Sequence, residues 1–215
     1  MNKITLSLLM FLCSLSIDAK TLHFADPAGT AISNVVVKFS NQAVDKSLTK
    51  PVAIMDQVDI QFAPYVLLID KGQQVAFPNR DDVRHHVYSF SKTKPFEIKL
   101  YKNTPTDPVT FSSAGVVELG CNIHDKMIGY IYVTDQANTF LSDSEGNVNL
   151  PESMGLASTM EFQYWHPRLS TNRLEHKKAN LSDPIEATQI ITLSLLNNDA
   201  STKQQKRKTR FGKTY

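Results

Sequence analysis

Two short stretches of the chain concentrate the residue types that do chemistry. In the first, Asn79, Arg80, Asp81, Asp82, Val83 and Arg84 lead into the paired imidazoles of His85 and His86, with Val87 after them. In the second, Cys121, His124 and Met127 stand in a C-x2-H-x2-M pattern, with Gly120, Asn122, Ile123, Asp125 and Lys126 around and between them. A thiolate, an imidazole and a thioether this close together form a soft donor set. Such a set selects copper, above all Cu(I), over hard cations. One more imidazole from a distant strand completes a trigonal plane of two nitrogens and one sulfur with a weak axial thioether. His85 and His86 are the neighbouring candidates. On a strand their side chains point to opposite faces, so only one of them can aim at the Cys121 loop.

Other chemistries use the same residues. A Cys–His pair also suits zinc, and a lone Met after it suits a core. Cys121 as a nucleophile needs a base in contact and an oxyanion hole, and the chain shows no supporting motif. The conjunction favours copper: a second source of His on a strand, a turn that gathers three donors, and an export signal.

That signal is the first composition shift. Residues 1–3 are short and basic, residues 4–17 are apolar, and Ala19 precedes Lys20 as a cleavage point, so 1–19 reads as a cleaved secretory signal. The apolar run is shorter than the roughly 20 residues that span a bilayer, which ranks a membrane anchor second. Cys13 lies in that run without the small residues of a lipoprotein cleavage box. The expected location is the periplasm or another exported compartment, with no transmembrane span in the mature chain. Cleavage leaves Cys121 as the one thiol, unable to form an internal disulfide and in need of protection by burial or by a metal.

The rest of the chain must position the donors. Its 215 residues are 41% hydrophobic, 20% charged and 9% aromatic, which is too apolar for disorder. With 2 Cys it is too poor in cysteine for a disulfide scaffold. The length suits one large or two small domains. Lys and Arg number 23 against 21 Asp and Glu, so no field of one sign covers the molecule. From 198 to 215 the chain is basic and nearly free of apolar residues, and it is expected to be a disordered tail. Without the signal and that tail the body carries 16 basic residues against 19 acidic ones. No nucleic-acid partner is expected.

The body reads as strands. Short apolar or alternating runs fall at 34–39, 57–62, 65–70, 73–78, 85–90, 96–101, 109–112, 116–121 and 130–134, with Gly, Pro, Asn or Asp between most of them. In 57–62, Val58, Ile60 and Phe62 are expected on one face. Many short strands without a 3.6-residue period predict an all-β sandwich or barrel. A second run at 139–142, 148–150, 159–165 and 189–195 predicts another small β unit, with the boundary near 134–137. Phe162, Tyr164 and Trp165 suit a core, His166 a turn, and 171–187 a charged loop that leaves His176 solvated. His23 has no evident partner.

Together these residues resemble a known family. Phe62-x-Pro64, Ile69-x-x-Gly72-x-x-Val75-x-Phe77-x-Asn79 and His85-x-Val87 resemble the first half of a plastocyanin-type cupredoxin, and Cys121-x-x-His124-x-x-Met127-x-Gly129-x-Ile131-x-Val133 resembles the second. The ligand loop is the short form seen in amicyanin. The nearest group is that of methylamine utilisation or plastocyanin-like proteins. There the cupredoxin domain is followed by a small module resembling a carboxypeptidase regulatory domain, which residues 139–146 and 164–169 are similar to. The resemblance implies an all-β fold: a cupredoxin-like Greek-key β-sandwich over 20–135, then a small β-sandwich module over 136–197.

The resemblance also implies His85, Cys121, His124 and Met127 as ligands of one mononuclear copper. It implies a non-enzymatic, exported blue-copper protein that passes single electrons between redox partners, such as a cytochrome, a dehydrogenase or an oxidase. The alternative is a periplasmic copper-binding, storage or delivery protein. His124 is the expected electron port, with Ile123, Met127 and Ile128 supplying an apolar patch. Asn122 and Asp125 are expected to steady the loop. The chain departs from the family at His86, where the pattern has an Asn that ties the ligand loops together, and at Ile123, where relatives have Pro. Ile123 restores a backbone N–H near the thiolate, and hydrogen bonds to that sulfur tune the potential. Ile123→Pro is therefore expected to lower the reduction potential. Redox titration of the variant checks this, and an unchanged or raised value refutes it.

Overall fold

The structure is a computed structural model that describes residues 20–40, 50–104, 107–182 and 187–197. The expected signal (1–19) and basic tail (198–215) lie outside the described residues. Among the described residues the regular structure is almost wholly strand. In order it forms β1 (Lys20–Ala25), β2 (Val36–Lys38), β3 (Ala53–Ile54), β4 (Asp56–Val58), β5 (Gln61–Ala63) and β6 (Val66–Asp70). Next come β7 (Gln74–Ala76), β8 (His85–Ser89), β9 (Phe96–Tyr101), β10 (Val109–Thr110), β11 (Gly115–Cys121) and β12 (His124–Thr134). The last are β13 (Thr139–Leu141), β14 (Asn147–Leu150), β15 (Glu161–Trp165), β16 (Lys177–Asn180) and β17 (Thr188–Thr192).

The middle of the chain makes one sandwich. A five-stranded sheet, β6-β12-β11-β8-β9, faces a three-stranded one, β10-β7-β3. The period-2 alternation of β11 and β12 sets what lies between them. Val117, Leu119 and Cys121 from β11 and Met127, Ile131 and Val133 from β12 join Val75, Val87 and Phe111 in one buried cluster. Gly129 lets the long β12 pass close to Phe62: a Cβ there would stand 2.6 Å from Cβ of Phe62.

The residues at both ends make the second sandwich. The sheet β14-β1-β17 lies against β13-β2-β15-β16 around Leu22, Phe24, Val37, Val148, Phe162 and Tyr164. The expected boundary at 135/136 assigned the N-terminal strand region to the first domain. Strand pairing corrects this: β1 pairs with β14 and β17, and β2 with β13 and β15. Lys38 stands opposite Thr139, and the N–H of Phe39 donates to the carbonyl of Asn138. The first sandwich is thus inserted between two neighbouring antiparallel strands of the second. Reading in chain order misses this because strand partnership across so long an insertion leaves no local trace.

Three further expectations change. Residues 57–62 are a hairpin of β4 and β5 rather than one strand, with Asp59 and Ile60 at φ of 54° and 59°. Left-handed backbone is unfavourable for a β-branched residue, and no Gly or Asn marks the turn. Its two N–H groups instead donate to the Asp81 carboxylate, at 2.7 and 3.0 Å. The segment expected to be loop at 171–187 contains β16. His176 in it is partly buried and bonded: its Nε2 lies 2.7 Å from Tyr132 Oη, and its Nδ1 donates to the carbonyl of Leu174 at 3.0 Å. His23 also has a partner, with Nδ1 2.8 Å from Asn147 Oδ1.

His166 does mark a turn, and it is buried there, with Nδ1 accepting the Arg168 N–H at 3.1 Å. Burial, reinforced by the Arg168 charge, lowers its pKa from 6.5 to about 4. The folded value lies below the unfolded one. The neutral imidazole's contribution is therefore complete above pH 6.5, declines as pH falls towards 4, and levels off below that. A shift of this size corresponds to about 3 kcal/mol. His166→Asn keeps an acceptor and removes the titration. Urea unfolding at pH 7 and pH 4.5 is expected to show a smaller acid loss in the variant by most of that amount; equal losses refute the assignment.

Candidate metal centre

His85 opens β8 and is wholly buried, Cys121 ends β11 and is 4% exposed, and His124 opens β12 and is partly exposed. The turn at Asn122 and Ile123 joins the two ligand strands, with a register shift at Gly120 and Cys121. Three donors converge from these positions. Cys121 Sγ lies 3.6 Å from His85 Nδ1 and 3.5 Å from His124 Nδ1, and the two nitrogens are 3.2 Å apart. A point equidistant from the corners of that triangle is about 2.0 Å from each, near the usual metal–imidazole length of about 2.0–2.1 Å and a little inside metal–thiolate lengths of about 2.3 Å. The three side chains therefore fit one ion. Among the described residues they are the one group of His, Cys and acidic donors so gathered. Met127 is buried in the same apolar cluster as Cys121. It therefore adds nothing to an exposed patch, whereas Ile123 is 50% exposed.

The surroundings fix which atoms face inward. His85 Nε2 donates to Asp81 Oδ2 at 2.7 Å, because a carboxylate can only accept. The imidazole is thereby held with a bare Nδ1 turned to Cys121, the arrangement by which outer carboxylates orient metal-binding histidines. Burial opposes the Asp81 charge, but the hydrogen bond from His85 and those from the Ile60 and Asp59 N–H groups hold its pKa below the ordinary carboxylate value. Asn79, also buried, accepts the Asp81 N–H at 3.0 Å and donates to the Val83 and Tyr101 carbonyls. Neither residue has an evident role in the sequence alone. The available signal was an acid four residues ahead of a His in a segment that must turn back on itself.

His86 points the other way, as alternation requires, and donates from Nε2 to Glu97 at 2.7 Å. Its side chain does not tie the loops together. Its carbonyl does, accepting the Asn122 N–H at 3.1 Å. The side chains of Asn122 and Asp125 lie on exposed residues. Gly120 lets the Tyr88 ring pack close to the backbone next to Cys121: a Cβ there would stand 2.7 Å from Cζ of Tyr88, so the ring would have to shift.

The fold and the donor triad define an all-β protein in which one thiol and two imidazoles are gathered closely enough to hold a metal ion. No protein-family model matches the chain, and no curated protein matches it. Solved structures do match parts of it. One is a copper-containing nitrite reductase from Thermus scotoductus SA-01, at 26% identity over 43% of this chain and 25% of that one, with a TM-score of 0.38. This chain thus spans a quarter of that enzyme. Another is an oxidised point mutant of amicyanin, at 17% identity over 46% of this chain and 98% of that one, with a TM-score of 0.36. A purple cupredoxin from Nitrosopumilus maritimus matches at 22% identity over 38% of this chain and 96% of that one, with a TM-score of 0.33.

Proposed function

We propose that this chain is an exported, mononuclear copper protein that carries single electrons between redox partner proteins and catalyses no reaction of its own. The observation that supports this reading is the convergence of His85 Nδ1, Cys121 Sγ and His124 Nδ1 to within 3.2–3.6 Å of one another, from segments far apart in the chain. Met127 is the proposed weak fourth ligand. Bound there, copper supplies one-electron chemistry between Cu(II) and Cu(I).

The protein's own residues do the rest. Asp81 holds the His85 ring, the Asn122–His86 contact fixes the turn, and the buried sandwich keeps the donor positions nearly constant when the charge changes. His124 is the one partly exposed donor and the proposed point of electron exchange. The three donors and Met127 leave no open position for a substrate, which is why a carrier is preferred to an oxidase. The N-terminal segment is the proposed export signal; among the described residues no helix is long and apolar enough to cross a membrane. The test is the visible and EPR spectrum of the Cu(II)-loaded protein, followed by reductive and oxidative titration. A strong thiolate-to-Cu(II) band that bleaches and returns with one electron per protein supports the carrier. Metal that exchanges readily with chelator, without such a band, supports storage or delivery instead.

A further inference from the structure

The five-stranded sheet that carries the donors has two faces, and the second sandwich covers much of the outer one. Val116 of β11, Tyr130 and Tyr132 of β12 and Val66 of β6 form a separate buried cluster with Val36 of β2 and Trp165 of β15. Trp165 packs against both tyrosines, with ring centroids at 5.9 and 5.4 Å, and its Nε1–H donates to the Arg173 carbonyl at 2.6 Å. Arg173 then reaches across the seam. Its Nη1 lies 2.7 Å from Glu118 Oε1, with both side chains about four-fifths buried (18% and 21% exposed). Its guanidinium carbon sits 5.9 Å from the centre of the Tyr130 ring, within the reach of a cation–π contact.

The placement of these contacts matters more than their number. Glu118 is three residues before Cys121 on β11, and Tyr130 is three residues after Met127 on β12. One guanidinium thus bridges the two strands joined by the Asn122–Ile123 turn, on the face opposite the donors. A planar, always-charged fork suits this bridging, whereas a lysine ammonium bonds as a single point. The second sandwich is also tied to the first by both ends of the insertion, so the grip is built into the chain rather than added by docking.

We propose that the second sandwich is a clamp on the strands bearing Cys121, His124 and Met127, and that Arg173 is its positioning residue. This rests on the copper reading, since what the clamp holds still is the donor loop. Loss of the bridge lets β11 and β12 shift relative to one another, so the loop opens more often and the metal leaves faster. Couplings carried over such a distance typically change an equilibrium by about twofold to thirtyfold.

The experiment uses the full chain loaded with Cu(II) and chased with excess chelator, comparing wild type with Arg173→Ala and Arg173→Lys. Leu181→Ala is the control: Leu181 is buried in the second sandwich away from the seam. Urea midpoints confirm that each variant is folded at the assay temperature. Release at least about twofold faster in Arg173→Ala, with partial rescue by Arg173→Lys and no change in Leu181→Ala, supports the clamp. Unchanged release in Arg173→Ala, or equal acceleration in the control, overturns it. If the wild type shows no thiolate-to-copper band, the electron-carrier reading fails by itself. The clamp is then judged on the metal-free protein, by the rate at which a thiol reagent labels buried Cys121 in wild type, Arg173→Ala and Leu181→Ala. Faster labelling in Arg173→Ala alone supports it, and equal rates in all three overturn it.

Discussion

Cys121→Ser is expected to abolish the visible thiolate-to-copper charge-transfer band of the loaded protein, and to change the EPR pattern of any Cu(II) it still binds, while leaving the fold intact. The band requires a thiolate, and a serine hydroxyl at the same place neither ionises near neutral pH nor donates softly. The two imidazoles remain, so the variant keeps weak affinity for Cu(II) or Zn(II) without colour. Serine is close to cysteine in size, and Cys121 sits at the end of β11 beside Met127 and Val87, so the packing loss is small. Far-UV circular dichroism and a urea midpoint near that of wild type check the fold, and the spectrum checks the ligand. A surviving band would remove Cys121 from the site and with it the electron-carrier proposal.

Asp81→Ala is expected to weaken copper binding by about 10–100-fold, the usual cost of losing an outer-shell partner of a metal-binding histidine. The reason lies in the three hydrogen bonds that meet at this carboxylate. One fixes the His85 ring with Nδ1 inward, and the other two hold the left-handed turn at Asp59 and Ile60. Without the carboxylate, His85 can rotate or carry its proton on Nδ1, and the turn loses the acceptor that offsets the unfavourable backbone at Ile60. Asp81→Asn keeps one acceptor oxygen and is expected to fall between wild type and Asp81→Ala. Competition with a Cu(I)-specific chelator measures the affinity. A value for Asp81→Ala within about threefold of wild type, well short of the usual outer-shell cost, would show that burial alone orients His85.

The donor types and their spacing are properties of the chain. Cys121, His124 and Met127 lie within one turn's reach whatever surrounds them, and the alternation of short apolar runs predicts strands because side chains alternate across a pleated sheet. That is why the soft-metal reading, the all-β class and most strand positions are legible in the residues. What only the tertiary structure decides is everything that depends on which distant strands become neighbours. Asp81, bonded to His85, is also held by an extra turn at Asp59 and Ile60, invisible to periodicity, whose N–H groups donate to its carboxylate. Between His85 and His86, alternation says that one must turn outward, but the pairing of β8 with β11 says which. The insertion of one sandwich within the other, and the bridging of Glu118 and Tyr130 by Arg173, follow from strand pairings across about a hundred residues of sequence separation. Such pairings are set by the balance of buried surface over the whole chain rather than by any local pattern.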